Sequence, residues 1–453
     1  MKKFFQTIWR MKGVKSFHLP PRFFLVCGIL VVLLAAGYAF PVLFPIARAC
    51  MVIVATFLVV DVLVLYLPST RLVAHRFAGK LFSLGDENPV HIELKNQSAY
   101  RLYVELYDEL PYQFQERKFK MVLVLRAREE KHLNYSLRPL SRGEYRFGSI
   151  NALTKTALGL VSRKFQLGEE EAVPVFPSII QMKKYELLAF ASISNFQGIK
   201  KIRKLGHSYE FEQIKNYAQG DDIRSINWKA TSRRNSLMVN QYEDERSQQV
   251  YTIIDKSRSM HMPFNGLSLL DYSINTSLVI SNIALKKHDK AGLITYSHRI
   301  GSTIPAERSQ LQLKKILQAL YHEKPQPMEA NYDLLYRAVK NVVHSRSLLF
   351  LYINFESAYA MQRALPILQK INKLHLLVLM IFENTELQEY SRKKVDYVSD
   401  IYAQAIAEKL ILEKKQIVSK LRKYGIQTIL SRPEDLSINT VNKYLELKAR
   451  GMI

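Results

Sequence analysis

Residues 23–44 read FFLVCGILVVLLAAGYAFPVLF, an apolar run without one charged side chain. Such a run must be hidden in a core or in lipid, and it is long enough to cross a hydrocarbon layer of about 30 Å. A second run, Ile46 to Leu67, follows after a single proline, with Arg48 near its start and Asp61 near its end. The joint between them is too short for a soluble domain. Pro41 and Pro45 mark the turn of a tight helical hairpin, because proline ends or kinks a helix. A cleaved signal peptide is disfavoured by the apolar length, by the lack of a small-residue cleavage site and by the second run.

Both flanks are basic. Lys2, Lys3, Arg10, Lys12, Lys15 and Arg22 precede the first run, and Arg71, Arg76 and Lys80 follow the second. The positive-inside rule then puts both ends, and the body that follows, on the cytoplasmic side of a multi-pass anchor. Asp61 needs a reason to be there, since a carboxylate at bilayer centre costs about 2.5–3.5 kcal/mol. It lies within two turns of the exit. Pairing with an interfacial base such as Arg71 or with the neighbouring helix is the expectation, and a place in an ion path is the competing one.

The 453-residue chain carries a formal charge of +25, which suits nucleic acid, anionic lipid or an acidic protein. No nucleic-acid-binding signature accompanies the charge, so a basic body beside an anionic leaflet is the simpler account. The two cysteines, Cys27 and Cys50, both lie in the apolar region and offer neither a disulfide framework nor a CxxC metal pattern.

From about Phe82 to Val175 the pattern alternates with period two, as in Val90–Leu94 and Tyr103–Tyr107; Met121–Leu125 and Tyr145–Phe147 supply further short strands. Gly85-Asp86-Glu87-Asn88-Pro89, Arg142-Gly143 and Leu167-Gly168 break the runs. A β-sandwich over residues 80–180 is expected, with a packing or docking role. Residues 181–248 read as a connector holding Gly220-Asp221-Asp222-Ile223-Arg224 and Trp228. Gly220 suits a positive-φ turn, and Asp221 or Asp222 can cap the short helix that follows. Two readings stand: a partner site using Asp221, Asp222, Arg224 and Lys229, or an interdomain clamp. In the clamp, Arg224 returns to Glu210 or Glu212 and Trp228 fills the joint.

Residues 249–453 alternate short apolar runs with helical stretches, which predicts a parallel sheet covered on both faces. The first run, Val250 to Asp255, leads into Asp255-Lys256-Ser257-Arg258-Ser259. A carboxylate and two hydroxyls at alternating loop positions can converge on a hard cation such as magnesium. Ligands in such folds sit at the carboxyl ends of the strands.

On these residues the domain resembles the von Willebrand factor A fold, and Asp255, Ser257 and Ser259 match the first segment of its metal-ion-dependent adhesion site. The wider chain resembles a bacterial family of uncharacterised membrane proteins that accompany MoxR-type AAA+ ATPases. The matching pieces are the hairpin, Gly85-Asp86-Glu87-Asn88, Arg142-Gly143-Glu144-Tyr145, Gly220-Asp221-Asp222-Ile223-Arg224 with Trp228, and the Asp255 loop. The resemblance implies a non-enzymatic, partner-binding component at the bacterial inner membrane, with the ATPase as partner and Mg2+ or a similar divalent cation at the site. Two positions depart from the pattern. Tyr332 stands where a threonine is usual, and Asn354 where an aspartate is usual; Asp333 and Glu356 are nearby substitutes.

Two other functions compete. Asp255, His261 and Ser257 or Ser259 lie close enough in sequence for a serine hydrolase, yet no GxSxG elbow, HExxH or P-loop occurs. Nucleic-acid binding through the basic surface would be steeply salt-dependent.

Overall fold

The computed structural model describes residues 16–67, 69–116, 119–195, 210–219, 221–243, 247–393 and 398–452. The chain divides into two compact units, Met1–Phe176 and Pro177–Ile453.

The first unit opens with strand β1 (Phe17–His18) and helices α1 (Pro21–Ala39) and α2 (Leu43–Tyr66). With mean hydropathies of 2.2 and 2.6, both helices are long and apolar enough to cross a membrane. Proline at the first helical position starts α1, where its missing N–H costs nothing. Ten strands follow: β2 (Leu72–Phe77), β3 (Phe82–Ser83), β4 (Asn88–Asn96), β5 (Leu102–Asp108), β6 (Lys120–Leu125), β7 (Glu130–Leu137), β8 (Gly143–Phe147), β9 (Ile150–Lys155), β10 (Ser162–Leu167) and β11 (Glu171–Phe176). They form sheets of order β1-β10-β9-β5-β6, β2-β4-β7 and β3-β11-β8.

The inward residues of β2 and β4 (Leu72, Ala74, Ile92 and Leu94) pack against those of β5, β6 and β9 (Leu102, Val104, Leu106, Leu125 and Ala152). Two sheets thus bury one face each, as the period-two pattern demands. A buried ion pair joins them: Arg76 on β2 binds Asp108 on β5 and donates to the Gly148 carbonyl at 2.9 Å. The Tyr135 hydroxyl gives Asp108 a further bond at 2.5 Å.

Strands outside the expected boundaries complete this unit. Leu72–Phe77 precedes residue 80, and Glu130–Leu137 pairs along the length of β4 at the edge of its sheet, a strand absent from the sequence expectation. Its alternating polar residues, Glu130, His132, Asn134 and Ser136, face outward and hid the strand.

Asp61 corrects an expectation. Its partner is not Arg71. Asp61 is fully buried; Oδ2 accepts the backbone N–H groups of Leu160 and Val161, each at 2.9 Å, and Oδ1 accepts the Thr156 hydroxyl. The turn between β9 and β10 therefore supplies the donors. Nearby, Arg163 donates to the Leu65 carbonyl at 2.7 Å, and the Tyr100 hydroxyl donates to that of Val64 at 2.6 Å, satisfying orphan carbonyls at the end of α2.

The second unit begins with α3 (Ile179–Asn195), which lies in the segment read as a connector. Instead it packs on the α/β core through Ile179, Met182, Tyr185 and Ala189. A hairpin follows, of β12 (Glu210–Asn216) and β13 (Met238–Glu243), with α4 (Trp228–Arg234) between them. Next come β14 (Gln249–Asp255), a small hairpin of β15 (Pro263–Phe264) and β16 (Leu267–Ser268), α5 (Leu269–Lys286), β17 (Lys290–Tyr296) and β18 (Ile300–Glu307). The remainder is α6 (Gln312–His322), α7 (Tyr332–Val342), β19 (Leu348–Ile353), α8 (Ala358–Leu374), β20 (Leu376–Phe382), α9 (Thr385–Arg392), α10 (Val398–Lys423), β21 (Gln427–Ser431) and α11 (Leu436–Ala449).

The sheet order is β18-β17-β14-β19-β20-β21, parallel except for β18. That antiparallel edge strand was not expected: its alternation of exposed and half-buried residues lacks the continuous apolar run of its neighbours. Val250 and Ile254 point into a core beneath α3, α5, α6 and α11; Tyr251 and Ile253 point into a second beneath α7, α8 and α10. β14 is therefore buried on both faces. A capping box between Ser268 and Asp271 starts α5.

Asp61→Ala should leave the Leu160 and Val161 N–H groups buried and unpaired, a loss of roughly 2–5 kcal/mol in local stability. In hydrogen exchange of the detergent-solubilised protein, peptides covering residues 156–163 should lose protection. Unchanged exchange would show that these bonds do not hold the turn.

Candidate functional site

β14 ends at Asp255, and its chain direction delivers that carboxylate to the carboxyl edge of the sheet between β17 and β19. The next residues form a tight, ordered loop. Asp255 Oδ1 accepts the Ser257 N–H at 2.8 Å, and the Ser257 and Ser259 hydroxyls lie 3.1 Å apart. Backbone bonds fasten the loop to its neighbours: Lys256 N–H to the Tyr296 carbonyl at 2.9 Å, Arg258 N–H to Met328 at 3.0 Å and Gln326 N–H to Lys256 at 2.8 Å.

Lys256 turns away from the site. Its ammonium binds Glu323 at 2.6 Å, and the other oxygen of Glu323 accepts the Thr295 hydroxyl at 2.6 Å and the Ser302 N–H at 3.1 Å. Burial opposes the Glu323 charge, but these donors hold its carboxyl below the usual range. Gly301 leaves the space: a Cβ there would lie 2.6 Å from the Lys256 ammonium and 2.3 Å from the Thr295 hydroxyl. This buried clamp was invisible in the sequence, because Glu323 and Thr295 come from distant segments with no motif around them.

Asp255 itself is only half satisfied. The residue is fully buried, and Oδ2 has no hydrogen-bond partner among the described residues. Burial, against the pull of Ser257, pushes its carboxyl up to about 6. Burial and then the nearby Asp255 charge raise the phenols of Tyr296 and Tyr332. The Tyr296 hydroxyl is also buried without a partner among the described residues. Tyr332 therefore does lie by Asp255, but it brings a phenol where a threonine hydroxyl is usual.

Asn354, expected as a metal ligand, is engaged elsewhere. Its amide nitrogen donates to the Ser259 carbonyl at 3.1 Å and its oxygen accepts the Lys414 ammonium at 2.6 Å. Burial, against the attraction of Glu383, pulls that ammonium down to about 8. Lys414 was not foreseen; it arrives from α10, far along the chain. Of the substitutes, Glu356 pairs with Arg258 at 3.1 Å and Asp333 is exposed in the first turn of α7. The residues that fit a hard cation are thus Asp255, Ser257 and Ser259, with an orphaned carboxylate oxygen as the strongest indication. Asn354 does not fit, since a positive group already occupies its oxygen. The His261 Nε2 is buried without a hydrogen-bond partner among the described residues.

The connector motif forms a second exposed feature. Asp221 accepts Lys215 at 2.8 Å and the Ala218 N–H at 3.0 Å. Asp222 caps a short 3-10 turn through the Arg224 N–H at 3.0 Å, and Asn227 caps α4 through Ala230 at 3.0 Å. Gly220, and the side chains of Glu210 and Glu212, lie outside the described residues. The clamp expectation fails for Trp228, which is 69% exposed, as is Ile223. Arg224, Lys229, Arg233 and Arg234 are exposed beside them in sequence.

Residues 213–388, which contain the Asp255 loop and the turn at residues 221–234, match the model of a family described as protein of unknown function DUF58. The uncharacterized protein YeaD of Bacillus subtilis (strain 168) is 27% identical over 127 residues, covering 28% of this chain and 31% of that protein. The chain thus spans about a third of the length of that relative. Among solved structures, the conserved hypothetical protein BatB from Bacteroides thetaiotaomicron is 14% identical over 31% of this chain and 68% of its own, with a TM-score of 0.22. The CARDB domain of a Pyrococcus furiosus protein is 17% identical over 24% of this chain and 90% of its own, with a TM-score of 0.17. Scores this low carry no argument.

The raised Asp255 carboxyl has a definite sign. Its folded-state value, about 6, exceeds the ordinary 3.8, so the folded state holds this proton more tightly. The burial penalty is absent below the ordinary value, grows up to about pH 6 and is complete above it. Two units amount to on the order of 3 kcal/mol. Asp255→Asn should therefore stabilise the metal-free protein at pH 8 by up to that amount and leave it nearly unchanged at pH 4. Urea unfolding at both pH values checks this; an equal difference at the two would contradict it.

Proposed function

We propose that this chain is a membrane-anchored adaptor that binds a protein partner through its second unit. The observation that carries the reading is the outward placement of Trp228 and Ile223 on a turn held by its own caps at Asp222 and Asn227. Exposed tryptophan beside arginine is the composition of a binding hot spot, and a pre-organised turn loses little entropy on docking. The cations Arg224, Lys229, Arg233 and Arg234 suit an acidic partner surface.

In this reading the α/β unit is von Willebrand factor A-like. The central strand ending in Asp255, with an orphaned carboxylate oxygen beside two hydroxyls, supports a cation held by Asp255, Ser257 and Ser259. A bound Mg2+ would present its open positions to a carboxylate of the partner. The resemblance to proteins that accompany MoxR-type AAA+ ATPases supplies the candidate partner, and assembly or maturation of an envelope complex is the task. The apolar hairpin supports a place in the bacterial inner membrane, and its basic flanks favour a cytoplasmic body.

Binding of the detergent-solubilised chain to a purified MoxR-type ATPase tests the proposal. Trp228→Ala should weaken binding by about 2 kcal/mol, roughly thirtyfold. Asp255→Ala should lower affinity and remove its dependence on Mg2+. Binding that survives Trp228→Ala at full strength sinks the docking role of the turn. Equal affinity with Mg2+ and with chelator sinks the cation bridge.

A further inference from the structure

The two apolar helices share a floor and a ceiling. From the turn at residues 40–42, α1 runs back to Pro21 and α2 runs forward from Leu43. At a rise of 1.5 Å per residue, the 19 residues of α1 cover about 28 Å. The same rise carries α2 from Leu43 to Asp61 over a nearly equal distance. That distance matches a hydrocarbon core of about 30 Å, so on the reading of α1 and α2 as a bilayer anchor Pro21 and Asp61 stand at the boundary between acyl chains and headgroups.

One loop reaches both points. The turn at residues 156–161 gives its N–H groups at Leu160 and Val161 to Asp61. Gly159, at φ +64°, lies so close to α1 that a Cβ there would stand 3.3 Å from the Arg22 guanidinium. β1 enters at the same height, pairing Phe17 with Arg163 and His18 with Ser162 just before α1 begins. The sandwich even touches α2 one turn deeper, since Leu58 packs with Val62 and Leu65 against its core. Its lip is not held above the boundary but seated at it.

Apolar side chains of that lip face outward: Leu158 is 42% exposed, Phe17 40% and Leu19 36%, with the His18 imidazole exposed between the last two. Arg22 is exposed among them. Apolar tips with a flanking guanidinium are the composition of a surface that seats itself in a leaflet.

We propose that the lip formed by Phe17–Leu19 and residues 156–161 is a lipid-contacting surface. Leu158, Phe17 and Leu19 sit at the acyl–headgroup boundary, and Arg22 meets the phosphates. The inference rests on the reading of α1 and α2 as a bilayer anchor, and it adds that the sandwich is partly immersed. It also explains why an apolar helix carries Asp61: at this depth the loop, not lipid, surrounds the carboxylate.

Single-cysteine forms of the full chain, labelled with bimane in phosphatidylcholine–phosphatidylglycerol vesicles, separate the two claims. Cys50 of α2, with Cys27→Ser, reports the anchor. Leu158→Cys and Leu19→Cys, each with Cys27→Ser and Cys50→Ser, report the lip. Tyr112→Cys in the same background is the distal control: the register of β5 and β9 runs from Tyr103–Lys155 to Asp108–Ile150, about 17 Å from the loop, and Tyr112 lies beyond it and is 85% exposed.

Lipids spin-labelled deep in the acyl chain should quench Cys50. Lipids labelled near the headgroup should remove about half or more of the signal at Leu158→Cys and Leu19→Cys, but not at Tyr112→Cys. Quenched Cys50 with lip positions no different from Tyr112→Cys overturns the lip and leaves the anchor standing. Unquenched Cys50 overturns the anchor, and the lip with it.

Discussion

A carboxylate taken out of water must be given donors, and the described residues answer that demand in two ways. Asp61 receives two backbone N–H groups and a hydroxyl. Asp108 receives the Arg76 guanidinium and the Tyr135 hydroxyl. These two are complete, and each ties together parts of the fold: Asp61 fastens the apolar hairpin to the sandwich, and Asp108 fastens one sheet to the other. Asp255 receives one N–H at Oδ1 and nothing at Oδ2 among the described residues. Incomplete satisfaction at the end of a central strand marks a place adapted to something other than stability.

The surroundings of Asp255 show how that state is maintained. Lys256, the nearest cation in sequence, is drawn off by Glu323. Lys414, the cation brought in by α10, is absorbed by Asn354. Each of these lysines is held by an acceptor other than Asp255. An aspartate at position 354 would have paired with Lys414 more strongly; the amide keeps the ammonium without adding a second negative charge beside Asp255. The Asn354 amide is thus tied to Lys414, a residue from α10 far along the chain.

Much of the architecture was legible. The short apolar runs expected as buried strands over Ser347–Phe355 and His375–Phe382 form β19 and β20 at Leu348–Ile353 and Leu376–Phe382. β7 and β18 escaped notice because half-exposed strands rich in polar residues carry little periodic signal. The first loop of the site was readable as Asp255-Lys256-Ser257-Arg258-Ser259, since its residues are adjacent in the chain. Its environment was not, because Tyr296, Glu323, Asn354 and Lys414 meet only through the parallel sheet. Trp228 stood in a motif with two readings, a partner site or a clamp; it lies 69% exposed just after the caps at Asp222 and Asn227.

The sequence by itself determined the apolar hairpin, the period-two and alternating strand–helix regions, and the chemistry of the Asp255 loop. Each depends on residues close together along the chain, where periodicity and spacing act directly. Only the tertiary structure decided what Asp61 binds, which acceptors hold Lys256 and Lys414, and that Trp228 faces outward. Those outcomes are set by competition among donors and acceptors far apart in sequence. No local pattern records who wins that competition; the packing that brings the rivals together decides it.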